Sequence, residues 1–165
     1  MSTKRLIVCL VAFFVVLIGL VFLSTMGQKP EQAAEVYSKN DSDRPKAQVD
    51  KNFLDIGEMK VSQIKEADFS LKNAGTKPLQ ILKVTSSCHC TFSQIIYQGK
   101  TSGKFGMNRR SGYVTDIASG ETATVKVIYE PALMPVSGIV EREVYVTTND
   151  PDNEKLIFSI QANVK

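Results

Sequence analysis

Cys88-His89-Cys90 holds two of the chain's three cysteines and its only histidine. Three kinds of chemistry suit such a tripeptide. On a strand, residues two apart share a face, so the thiols converge while His89 points the other way unless the backbone turns there. Their Cα atoms would stand about 6.6 Å apart, at the upper edge of the range a disulfide spans. A bridge over one residue adds little loop-closure stabilisation and is readily reduced, so its use would be redox chemistry. As thiolates, Cys88 and Cys90 could instead join His89 and Met107 in a soft-metal site. Copper(I) suits that set better than zinc, because outside the apolar N-terminal run no further Cys or His exists to complete a common tetrahedral zinc site. Third, both cysteines could be small buried apolar residues at a strand end, with His89 exposed. The tripeptide alone leaves all three open.

Enzyme chemistry finds less support. One histidine leaves no Ser-His-Asp set, and strand geometry turns His89 away from the neighbouring thiols. Asp150 and Asp152 stand in a turn signal, Asn149-Asp150-Pro151, which turn chemistry explains. There is no P-loop, no Gly-rich dinucleotide turn and no nucleophile elbow. With a net charge of +3 and 22% charged residues, nothing in the totals suggests a nucleic-acid binder. The expectation is a protein that is not an enzyme, with no resident cofactor.

A second chemical feature is the stretch 97–113, YQGKTSGKFGMNRRSGY, with four glycines and four basic residues. Loops of this length often carry function. Lys100, Lys104, Arg109 and Arg110 could meet an anionic partner: a lipid headgroup, a glycan or an acidic protein surface. The competing reading is a solvated loop with its aromatics folded back onto the domain.

The elements that must position these residues are strands. From about residue 49, short segments alternate apolar and polar residues and end in turn residues, the pattern of half-buried antiparallel sheet. Ala67, Phe69 and Leu71 fall on one face, then Asn73, Ala74, Gly75 and Pro78 make a turn. Val125, Val127 and Tyr129 repeat the pattern after Ser119-Gly120, and Val140, Val144 and Val146 follow Gly138. Leu156, Phe158, Ile160, Ala162 and Val164 line one side of the last segment. About seven strands in roughly 115 residues predict an all-β, immunoglobulin-like antiparallel sandwich over 49–165, with 97–113 as a long insertion loop.

Ahead of the sandwich, residues 6–23 are an unbroken apolar run, LIVCLVAFFVVLIGLVFL. At about 1.5 Å per residue it nearly spans a hydrocarbon core of about 30 Å, which predicts one N-terminal transmembrane helix. Lys4 and Arg5 keep residues 1–5 in the cytoplasm and send the rest outward. A cleaved signal peptide is the alternative, but the run exceeds the usual h-region of about 7–15 residues. Both readings export the domain. Residues 24–48 mix Pro, Ser, Asn and charges of both signs, the composition of a flexible tether.

The successive motifs FLDIGEMKV, ADFSLKNAGTKPLQILKVTSSCHCT, IASGETATVKVIYEP and VEREVYVTTNDP resemble the bacterial domain-of-unknown-function family 1573. Its members are exported immunoglobulin-like domains related to the ASH/Hydin and major-sperm-protein group. The resemblance covers about 49–165 and implies the sandwich and an exported setting, with no established enzyme chemistry. His89 stands where members commonly have Gly, Ser119-Gly120 replaces a Pro-Gly turn, and 93–116 is longer than usual. Together these readings predict a single-pass protein of the bacterial cytoplasmic membrane, touching lipid through 6–23. Its extracytoplasmic domain binds or scaffolds an envelope protein; the alternative is thiol-redox or copper(I) handling at Cys88-His89-Cys90.

Overall fold

The computed structural model describes residues 7, 10, 12–20, 34–109 and 111–165. It divides into two units, 1–32 and 33–165. In the first, the described residues 12–20 are helical. Among the described residues no helix is long and apolar enough to cross a membrane. Most of the rest of the predicted span over 6–23, including Cys9, lies outside the described residues.

The second unit is built of strands in two sheets: β1 (Ala47–Val49), β2 (Phe53–Met59), β3 (Lys65–Asn73), β4 (Leu79–Ser86), β5 (Thr91–Tyr97), β6 (Lys100–Thr101), β7 (Phe105–Gly106), β8 (Thr115–Ile117), β9 (Thr122–Tyr129), β10 (Gly138–Thr148) and β11 (Lys155–Val164). One sheet runs β1-β3-β9-β5-β6, with β7 also on β5; the other runs β2-β11-β10-β4-β8. This is the expected immunoglobulin-like sandwich, with eleven strands among the described residues where the sequence predicts about seven. The difference lies mainly in two- and three-residue strands, too short to show a period. The sheets are antiparallel except that β2 lies parallel to β11. Those two strands are separated by most of the domain and joined by no hairpin, so nothing forces them to run oppositely.

Period two places the core. Ala67, Phe69 and Leu71 of β3 and Val125, Val127 and Tyr129 of β9 face Val144, Val146, Phe158 and Ile160 of the other sheet, all buried. Phe69 and Phe158 meet across the layers with ring centroids 5.3 Å apart. Burying side chains of this size stabilises the fold by about 1.5–3 kcal/mol each.

Two segments are more ordered than their composition suggests. Residues 34–49, most of which fall in the predicted tether, lie against the sandwich. The Glu35 N–H donates to Gln80 Oε1 at 2.7 Å, Arg44 pairs with Asp150 and Asp152, and β1 pairs with β3. The predicted loop 97–113 contains β6 and β7, which hairpin back onto β5. Gln98 and Gly99, both at positive φ, make the tight turn into β6.

Candidate functional site

Cys88 and Cys90 form a disulfide with Cα atoms 5.4 Å apart. The sulfurs converge, but not for the reason strand geometry supplies. Residues 87–90 are a turn, not a strand, and this turn carries the chain from β4 in one sheet to β5 in the other. The turn draws the Cα atoms closer than the roughly 6.6 Å of an extended strand. His89 is exposed at its tip.

The turn is pinned at both ends. The Ser87 N–H donates to the Glu143 carbonyl at 2.9 Å, and the Glu143 N–H donates to Ser87 Oγ at 3.0 Å. The Glu130 N–H donates to the Cys90 carbonyl at 2.8 Å. Cys90 is fully buried in the core, while Cys88 is half-buried against it. Cys88 Sγ has two hydrogen-bonding neighbours, each at 3.2 Å: the Cys90 N–H and Thr91 Oγ1. A bridged sulfur carries no proton, so the Thr91 hydroxyl is the donor. Thr91 itself is fully buried.

The copper(I) set is not assembled in this form. With the sulfurs bonded to each other, neither is a thiolate, and the thiolate is the metal ligand. Met107 is 41% exposed just past β7. Among the described residues no three His, Cys, Asp or Glu side chains gather to hold a metal ion.

Of the four basic residues of the insertion, three are described. Lys104 is committed within the fold: its ammonium pairs with the Glu130 carboxylate and lies over the Phe92 ring, 4.6 Å from the centroid. Arg109 is exposed, and Arg110 lies outside the described residues. Lys100 lines a cleft of about 470 Å³ on the edge of the sandwich.

That cleft is a site the sequence did not mark. One wall is β5 and β6, with Ile95, Tyr97 and Lys100; the other is the segment from Tyr113 to Asp116, which enters β8. The terminal strands of the two sheets, β6 and β8, therefore open on one cleft. Burial, then a hydrogen bond to the Asp116 carboxylate, pushes the Tyr113 phenol up to about 12. Burial also raises Tyr97, whose hydroxyl donates to Glu121 and accepts from the Ala118 N–H at 3.0 Å. Both phenols stay neutral at physiological pH, and both residues line the cleft. Because Tyr113 titrates above its unfolded value of about 10, the stability it contributes is complete below pH 10 and is lost as pH rises toward 12. Urea midpoints measured across that range should fall less steeply for Tyr113→Phe than for wild type; parallel curves would remove the Tyr113–Asp116 contact.

The motifs behind the sequence resemblance have structural work. Asn73, fully buried, donates through Nδ2 to the carbonyls of Lys77 at 2.8 Å and Ile117 at 2.9 Å. Its Oδ1 accepts from the Gly75 N–H at 3.0 Å. Asn149 Oδ1 accepts from the Gln80 N–H at 2.8 Å, and Asp150 receives Arg44.

Fold and site thus define an immunoglobulin-like β-sandwich module with a disulfide at a sheet crossing and a polar cleft between two sheet edges. Residues 47–107 match the family described as "Protein of unknown function (DUF1573)", so the family likeness read from the sequence is borne out there. The match takes in Asn73-Ala74-Gly75 and Cys88-His89-Cys90-Thr91 and stops before Thr148-Asn149-Asp150-Pro151. No curated protein matches the chain. Among solved structures, a protein of unknown function from Porphyromonas gingivalis W83 is similar at 15% identity and a TM-score of 0.57, over 74% of this chain and 48% of that one. A family 123 glycoside hydrolase from Clostridium perfringens is similar at 9% identity and 0.51, over 68% of this chain and 22% of that one. The chain thus spans about half of the first and about a fifth of the second, and at these identities the likeness is one of fold. The ASH/PapD-like domain 7 of human CEP192 aligns at 13% identity and 0.43, over 82% of this chain and 98% of that one.

Proposed function

We propose that the chain is a non-enzymatic binding module on the outer face of the bacterial cytoplasmic membrane, and that it holds an envelope protein at the cleft between β6 and β8. The observation that carries this reading is the shared opening of two sheet edges. A terminal strand is a place where an extended partner segment can add to a sheet. Beside these strands, the side chains of Tyr97, Tyr113 and Lys100 line the cleft and give it the aromatic and charged surface that would fix a partner's register. The apolar run 6–23 preceded by Lys4 and Arg5 supports the membrane setting, with lipid as the partner of that run.

A photoreactive side chain at Thr101 or Thr115, in full-length protein in intact cells, should crosslink to one discrete envelope protein. The same group at Gln48, on the far edge strand β1, should not. Equal crosslinking from all three positions, or none from Thr101 and Thr115, would overturn the reading.

A further inference from the structure

We infer that the Cys88–Cys90 disulfide is a dithiol–disulfide exchange site, with Cys88 as the sulfur that meets the incoming thiol of an exported protein. The exchange is stoichiometric, one bridge per chain, and so adds to the binding reading without making the chain a catalyst; it does not rest on the cleft or on what binds there. It rests on an asymmetry within the bridge.

Only one sulfur is in reach. Cys90 is 0% exposed among core side chains, while Cys88 is half-buried beside the exposed His89. Exchange proceeds through a mixed disulfide whose site is set by access to the attacked sulfur. The donors are also placed unevenly. The Cys90 N–H and the Thr91 hydroxyl both point at Cys88 Sγ from 3.2 Å, whereas Thr91 Oγ1 is 3.9 Å from Cys90 Sγ. Hydrogen bonds to a thiolate favour that form, and burial without them disfavours it. On reduction, Cys88 is the sulfur these donors favour as a thiolate, and Cys90 is the one that takes up a proton.

The reaction balances with a protein dithiol as reductant. A substrate thiolate attacks Cys88 Sγ and forms a mixed disulfide. The Cys88–Cys90 bond breaks with its electron pair on Cys90, which takes up a proton. The second substrate thiolate then attacks the substrate sulfur of the mixed disulfide, whose bond to Cys88 breaks. That electron pair stays on Cys88, where the two donors already stand. Two electrons pass to the protein and the substrate leaves as a disulfide. Run in reverse, the same chemistry has Cys88 as nucleophile and Cys90 as resolving thiol, so the redox state of the compartment sets the direction. Thr91 is a positioning residue here, because it acts only through Cys88.

The test uses the full chain in detergent with Cys9→Ser as background, so that two thiols remain. Brief exposure of the oxidised protein to glutathione, followed by mass mapping, should place the adduct on Cys88. In the reduced protein, Cys90→Ser should react with an aromatic disulfide probe roughly tenfold or more faster than Cys88→Ser. Thr91→Val should raise the pH at which Cys88 thiolate absorbance appears, and Thr91→Ser should restore it. An adduct on Cys90, equal rates for the two single-cysteine variants, or a titration indifferent to Thr91→Val would overturn the inference. The glutathione mapping uses the native pair, so the outcome does not depend on the folding of either variant.

Discussion

Asp150→Ala is expected to destabilise the sandwich by about 3–5 kcal/mol, the usual cost of removing one partner of a buried ion pair. The Asp150 side chain is 0% exposed and Arg44 17%. Asp150 Oδ1 accepts from Arg44 Nη1 at 3.3 Å and from the Asp152 N–H at 3.1 Å. Asp150 Oδ2 accepts from the Ala47 N–H at 2.8 Å and from Asn153 Nδ2 at 2.9 Å. Alanine leaves these donors without their acceptor, and an orphaned buried donor costs more than a made bond contributes. Urea unfolding of the full chain in detergent would measure the loss, and the melting temperature should fall by about 10 °C or more. A change below about 1 kcal/mol would mean the Arg44–Asp150 pair is exchanged freely for water. Asp150→Asn, which keeps an oxygen for the Ala47 N–H, should fall between wild type and alanine.

Asp150 also shows where sequence reasoning stops. Period two was legible in β3, β9, β10 and β11, because each buries one face and alternates along enough residues to show it. Asn149-Asp150-Pro151 was legible as a turn, and Asp150 does stand at one, donating its N–H to Thr148 Oγ1 at 3.1 Å. Its partner Arg44 is 106 residues away in a segment with a tether's composition, and no local pattern signals a contact at that separation. Arg44 binds Asp152 as well, through Nη2 at 2.6 Å, so the guanidinium ties the start of the domain to the turn between β10 and β11.

The candidate site divides in the same way. The convergence of Cys88 and Cys90 was legible, but its geometry was not, since the sequence does not say that the chain changes sheets between Ser86 and Thr91. Thr91 directly follows Cys90 in the sequence, and only the turn brings its hydroxyl to Cys88. The cleft was hidden because its walls are Tyr97 and Lys100 on one side and Tyr113 to Asp116 on the other. These are the two ends of a stretch that reads as a loop, and they meet only because β5–β6 and β8 close the same edge of the two sheets.

Gly75→Ala should cost about 1–3 kcal/mol as an overpacking substitution, and more if it releases the chain that crosses Gly75. Gly75 has no left-handed φ, so its conformation does not require glycine. What requires it is backbone approach: a Cβ would lie 2.5 Å from Lys46 N and 2.7 Å from the Pro45 carbonyl carbon, and closer still to the Arg44 carbonyl oxygen. Backbone cannot rotate away as a side chain can. The crossing is held by the Ala74 N–H donating to the Lys46 carbonyl at 2.8 Å and the Thr76 N–H donating to the Arg44 carbonyl at 3.1 Å. Displacing residues 44–46 would therefore pull Arg44 off Asp150 and Asp152, and with it the pairing of β1 with β3. The two substitutions attack one attachment from opposite sides, so Gly75→Ala with Asp150→Ala should cost clearly less than the sum of the singles, by about 1 kcal/mol or more. Amide exchange at Ala47, whose N–H rests on Asp150, should accelerate in both single variants. Strict additivity, with Ala47 still protected in Gly75→Ala, would show that the glycine and the ion pair hold the segment independently.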